Sequence, residues 1–169
     1  MDNPSVSVDG HLETENCMSV LTHEPLDIAK IVASVGDDAA GATAVFIGTT
    51  RNSFKGKVVT RLEYQAYTKL ALKTMNDILQ LVLRSLHQTS PNPVSGAIAN
   101  ILHATIHHRI GEVPVGEPSI VIAVSSPHRS EAFTACEQIL EEVKTKAQVW
   151  KREYYEGEPE ETAVWKENY

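Results

Sequence analysis

The chain predicts an α+β domain, a mostly antiparallel sheet with helices packed on it, and three observations carry that prediction. Two stretches, 67–86 and 131–147, place apolar residues at helical spacing. Short β-branched or alternating runs stand in pairs between them, as returning strands do. The resulting order is helix, strand, strand, helix, strand, strand, helix, strand, and it lacks the strict alternation of a parallel α/β fold. With 169 residues, 42% of them hydrophobic, the chain suits one domain with a real core.

Residues 1–20 are polar and acidic and read as a flexible leader, leaving 21–169 as a single domain. A strand end and turn at Thr22-His23-Glu24-Pro25 lead into a short helix over about 27–35, with Ile28, Ile31 and Val32 on one side. Gly41 to Thr50 is small and β-branched, which predicts a buried strand. Arg51 to Lys57 reads as a loop, and 58–66 alternates as the returning strand. The first long helix follows, with Leu70, Leu72, Met75, Ile78, Leu79, Val82 and Leu86 as its stripe.

The segment 88–100 reads as a loop. Residues 101–110 predict a strand, 111–118 a turn, and 119–125 a wholly apolar strand ended by Pro127. Ser130 is placed to cap the second long helix, whose stripe is Ala132, Phe133, Cys136, Ile139, Leu140 and Val143. Residues 149–155 read as extended, 156–161 as an acidic stretch, and Val164-Trp165-Lys166 as one more short strand.

Charge points to a site. The chain carries net charge -7, yet five of its 15 Lys and Arg fall between Arg129 and Arg152. Cations concentrated against the global sign suggest a small-anion site, whereas nucleic acid would call for a basic surface. His128-Arg129-Ser130 ends a strand and opens a helix, where backbone N–H groups favour anions and an Arg adds a planar fork. The same residues could instead only tie down the loop. Lys144 lies near the end of that helix, where it also complements the dipole. In an extended 149–155, Trp150 and Arg152 face one way while Lys151 and Glu153 face the other. A lysine among other cations tends to lose its proton, and a neutral amine is a base or nucleophile. Arg51 ends a glycine-flanked strand, either as a solvated loop arginine or as a cation reaching the site from a second direction.

Other chemistries find little footing. Cys17 and Cys136 form no CxxC pair; Cys136 reads as a small buried hydrophobe and Cys17 falls in the leader. His107 and His108, adjacent in a strand, face opposite sides, so no metal is expected. His108 and Arg109 read as packing or as hydrogen-bonding to the next loop. GxGxxG, Walker, GxSxG and HExxH patterns are absent. No apolar run approaches the roughly 20 residues of a bilayer span, and Met1-Asp2-Asn3-Pro4 lacks the features of a signal peptide. The expected compartment is the cytosol.

Four motifs in order resemble the large, catalytic subunit of molybdopterin synthase. They are Gly41-Ala42 with Phe46-Ile47-Gly48 and Arg51-Asn52, His108-Arg109-Ile110-Gly111-Glu112, Ser125-Ser126-Pro127-His128-Arg129-Ser130, and Lys144 through Glu153. The resemblance covers about 41–166. It implies an α/β-hammerhead-like fold with additional strands and a sulfurtransferase of molybdenum cofactor biosynthesis with no cofactor of its own. The implied reaction moves sulfur from the C-terminal glycine thiocarboxylate of a small ubiquitin-like subunit to cyclic pyranopterin monophosphate, forming the molybdopterin dithiolene. The implied assembly is a heterotetramer around a central homodimer of large subunits. Lys144 and Lys151 become the catalytic lysines. His128, Arg129 and Arg51 hold the phosphate or pterin, and Arg152 and Glu153 line or brace the pocket. Two departures stand out: Gln148 replaces a common proline, and 88–100 reads as an insertion. The competing expectation is a non-catalytic module that binds anions or a ubiquitin-like tail.

Overall fold

The structure, a computed structural model, describes residues 7–89 and 101–168. Among these, ten strands and three α-helices follow in order: β1 Gly10–Thr14, β2 Cys17–Thr22, α1 Ile28–Ser34, β3 Ala42–Thr49, β4 Ser53–Phe54, β5 Lys57–Ala66, α2 Thr68–Thr89, β6 His103–Arg109, β7 Gly111–Pro114, β8 Pro118–Ser126, α3 Arg129–Lys146, β9 Val149–Tyr155 and β10 Lys166–Glu167. A single 3₁₀ turn, Glu160–Thr162, precedes β10. The α+β class predicted above holds.

Two sheets form. The first runs β1-β2-β6-β8-β3, and every pairing in it is antiparallel except β2 with β6. The second runs β10-β9-β5-β4, with β7 also on β5. The apolar run of β8 is explained by cover on both faces. Ile120, Ile122 and Val124 enter the main core with Met75, Leu79 and Ile139 of α2 and α3. Val121 and Ala123 face the other way, against Ile31 and Val35 at α1. The Asp27 carboxylate caps α1 by accepting from Lys30 N–H at 3.1 Å.

The leader expected over 1–20 is corrected from Gly10 onward. β1 and β2 make a hairpin whose turn places Asn16 at φ 64°, a conformation Asn tolerates. Cys17, Ser19 and Leu21 alternate inward and are buried, so β2 has a core face to commit to. The turn expected over 111–118 likewise contains β7, paired with Arg61–Tyr64 of β5. Gly111 makes the chain's step from the first sheet to the second at φ 78°, and a Cβ there would stand 2.9 Å from the His23 ring. α3 starts earlier than Ser130 would set it. Its N-cap is His128, which has no side-chain capping bond, while Ser126 Oγ accepts from His128 N–H at 3.3 Å. The acidic stretch folds back, with Glu160 on Arg61 at 2.9 Å and Glu158 on Lys57 at 2.6 Å. α2 reaches Thr89, and the rest of the expected insertion, from residue 90, lies outside the described residues.

Candidate functional site

β9 is the platform. Its register sets Lys151 opposite Tyr64 of β5 on one side and opposite Lys166 of β10 on the other. Alternation puts Lys151, Glu153 and Tyr155 on one face. Glu153 is only 8% exposed. Its Oε2 accepts from the Tyr155 hydroxyl and from Lys166 Nζ at 3.3 Å, and its Oε1 lies 3.9 Å from Lys151 Nζ. Burial alone would raise the Glu153 carboxyl. Tyr155, Lys166 and Lys151 together outweigh it and hold the group below its ordinary value.

Lys151 shows the opposite balance. Burial comes first and disfavours its charge; Glu153 opposes, and the positive charges of Lys166, Lys144 and Arg51 add to the depression. The Lys151 amine therefore sits below the usual lysine range. The same balance shows that Arg51, Lys144, Lys151 and Lys166 share one electrostatic neighbourhood. Lys144 comes from the last turn of α3. Arg51 follows β3, where Thr50 is clasped by Thr50 N–H to Glu117 O at 3.1 Å and Gly116 N–H to Thr50 O at 2.9 Å. Beside Glu153 opens a cavity of about 140 Å³, lined by Lys57, Tyr155, Glu158, Val164 and Lys166 among others.

Arg152 points away from Lys151. Its Nε donates to Glu63 Oε2 at 2.8 Å, and its guanidinium lies 4.6 Å from the Trp165 ring centroid. Tyr154 donates to the same Glu63 oxygen at 2.7 Å. Arg152 thus braces the reverse face of β9. His128 and Arg129 are exposed at the start of α3. Lys144 comes fifteen positions after Arg129, roughly 22 Å along a helix. β3 and β8 run antiparallel, with Ala42 opposite Ser126 and Thr49 opposite Pro118. Arg51 therefore lies at the sheet end opposite His128. Within one copy, His128-Arg129 and the lysine cluster occupy opposite ends.

Lys166 and Tyr155 belong to the site but were not singled out from sequence. Strand period marks Tyr155 as a same-face neighbour of Lys151. Nothing local marks Lys166, whose place depends on β10 pairing with β9. His108 is wholly enclosed, and burial pulls its pKa down to about 4. Its ring stands edge-on to Tyr64 at 4.9 Å. Neutral His108 donates from Nδ1 to the Arg109 carbonyl at 2.7 Å, leaving Nε2 to accept from the Asn168 amide at 3.2 Å. The two cysteines are buried, and burial pushes each thiol up to about 11. Among the described residues, no group of three His, Cys, Asp or Glu is arranged to hold a metal, and no helix is long and apolar enough to cross a membrane.

Fold and site together define a small α+β domain with amines gathered around a buried carboxylate. The chain matches the MoaE protein family model over residues 21–146 and belongs to that family. It is 45% identical over 154 residues to a molybdopterin synthase catalytic subunit of Pyricularia oryzae, covering 91% of this chain and 76% of that one. It is also 45% identical over 148 residues to the protein of that name from Drosophila erecta, covering 88% of this chain. Yet it spans only 36% of that fly protein's length. The crystal structure of molybdopterin synthase from Staphylococcus aureus superposes with a TM-score of 0.69 at 29% identity, covering 86% of this chain and 94% of that one.

Proposed function

We propose that this chain is the catalytic subunit of a molybdopterin synthase, working in the cytosol. It takes sulfur from the C-terminal thiocarboxylate of a small ubiquitin-like subunit and adds it to cyclic pyranopterin monophosphate, building the dithiolene. The observation that carries this reading is Lys151, a partly buried amine whose proton is disfavoured by burial and by three neighbouring cations. Such an amine gives up its proton more readily than an ordinary lysine, and in its neutral form it accepts one as the pterin is attacked and its ring opens. Lys144, exposed at the rim, meets the incoming thiocarboxylate. The cysteines support an external sulfur donor, because buried thiols with pKa values of about 11 supply no thiolate.

In this reading Arg51 binds the anionic pterin beside Lys151, Glu153 holds the lysines in place, and Arg152 stiffens β9 from behind. His128 and Arg129 complete a phosphate site. Their distance from Lys144 along α3 means that a pocket using both ends draws them from a second copy, in a central homodimer flanked by two small subunits.

Reconstitution tests the proposal. The chain, a thiocarboxylated small subunit and the cyclic pterin should yield dithiolene. Lys151→Ala should reduce conversion by about 10²–10⁴-fold while the small subunit still binds. A chain that binds the tail but converts no pterin would instead be a non-catalytic tail-binding module.

A further inference from the structure

We propose that Lys166 is a positioning residue for Lys151: from β10 it holds the Glu153 carboxylate and so keeps the Lys151 amine out of a closed ion pair. The inference rests on the reading of Lys151 as the proton-accepting amine. Three contacts carry it. Lys166 Nζ lies 3.3 Å from Glu153 Oε2, within hydrogen-bonding reach, while Lys151 Nζ lies 3.9 Å from Oε1, beyond it. The Tyr155 hydroxyl also donates to Oε2, so two donors pull the carboxylate toward the same oxygen.

β10 is short, but its place is specified. Lys166 pairs with Lys151 and Glu167 with Trp150. One residue further on, the Asn168 amide donates to Nε2 of the enclosed His108 at 3.2 Å. Lys166 is therefore delivered to Glu153 from a strand pinned on both sides. An exposed lysine-carboxylate pair contributes little. This carboxylate is nearly closed to water, so which amine it serves matters to both.

Each charged or titratable neighbour of Lys151 can be named: Glu153 and Tyr155 on β9, Lys166 on β10, Tyr64 on β5, Lys144 on α3 and Arg51 after β3. Removing Lys166 deletes one repelling charge and frees Glu153 to close on Lys151. Both changes favour the protonated amine, so Lys151 would deprotonate at higher pH.

The experiment measures the pH dependence of Lys151 acylation by trace acetic anhydride, read by peptide mass spectrometry, with exposed Lys69 as the internal standard. In Lys166→Met the Lys151 midpoint should move to higher pH, with a severalfold drop in labelling at fixed neutral pH. Lys166→Arg should restore the native curve. The single-turnover pH profile of dithiolene formation should move the same way. Circular dichroism and melting establish that each variant is folded, and Asn168→Ala, which loosens β10 without removing a charge, should give a smaller shift of the same sign. A Lys151 curve unchanged in folded Lys166→Met overturns the inference. A shifted curve in a chain that never converts pterin leaves the inference standing and overturns the synthase reading.

Discussion

Replacing Glu153 with Gln is the sharpest probe of the site's electrostatics. Glutamine keeps the shape and an oxygen to accept from Tyr155, but loses the charge that faces Lys166 at 3.3 Å and Lys151 at 3.9 Å. A buried hydrogen bond to a charged group contributes about 1.5–3 kcal/mol, and removing one partner of a fully buried pair costs about 3–5 kcal/mol. Lys166 is 46% exposed and Lys151 22% exposed at their side chains, so water screens part of this. A net loss of about 2 kcal/mol follows, or about 4–8 °C in Tm for a domain of this size. The loss depends on pH. Glu153 is held below its ordinary value of 4.5 in the fold, so its contribution is complete above that value and disappears as pH falls through the folded value. Urea unfolding of both proteins across that range measures the gap. A gap that is absent at pH 7, or that persists unchanged below the folded value, would refute the assignment of Glu153 as an ionised partner of the two lysines.

Two further outcomes are expected. His108 has an ordinary pKa of 6.5, lowered to about 4 in the fold, so the unfolded chain binds its proton first. Native stability should therefore decline as pH falls from 6.5 toward 4, and His108→Gln should flatten part of that slope in denaturant titrations. Cys17 and Cys136, with thiols near 11, should resist iodoacetamide at pH 7.5 until the protein unfolds, and Cys136→Ala should retain sulfur transfer in the reconstituted reaction.

Much of the fold was legible because its signals are local and repeated. The stripe of Met75, Leu79 and Val82 and the unbroken apolar run of β8 each report burial directly. The N-terminal hairpin was not legible. Its inward residues Cys17, Ser19 and Leu21 include a serine, whose hydroxyl donates to the distant Leu72 carbonyl at 3.0 Å as well as to the Leu12 carbonyl at 3.5 Å. Alternation through a polar residue in an acidic stretch gives a weak period. β7 was hidden for a related reason, since four residues ending in Pro114 become a strand only because β5 offers an edge.

In the site, the opposite faces of Lys151 and Arg152 followed from strand period alone. The separation of His128-Arg129 from Lys144 follows from the length of α3, yet a list of cations close in sequence reads as one cluster. Lys166 was out of reach, because its contact with Glu153 depends on the chain returning after the 3₁₀ turn.

The parallel pairing of β2 with β6 bears on how the protein is trimmed for study. The family match begins at residue 21, inside β2. A fragment cut there would strip Cys17 through Val20 from their partners Ala104 through His107 and open the buried Ala104 and Ile106 to water. Shortened forms should start ahead of Asp9, whose carboxylate also receives the His23 N–H at 2.9 Å and so fastens the hairpin's far end.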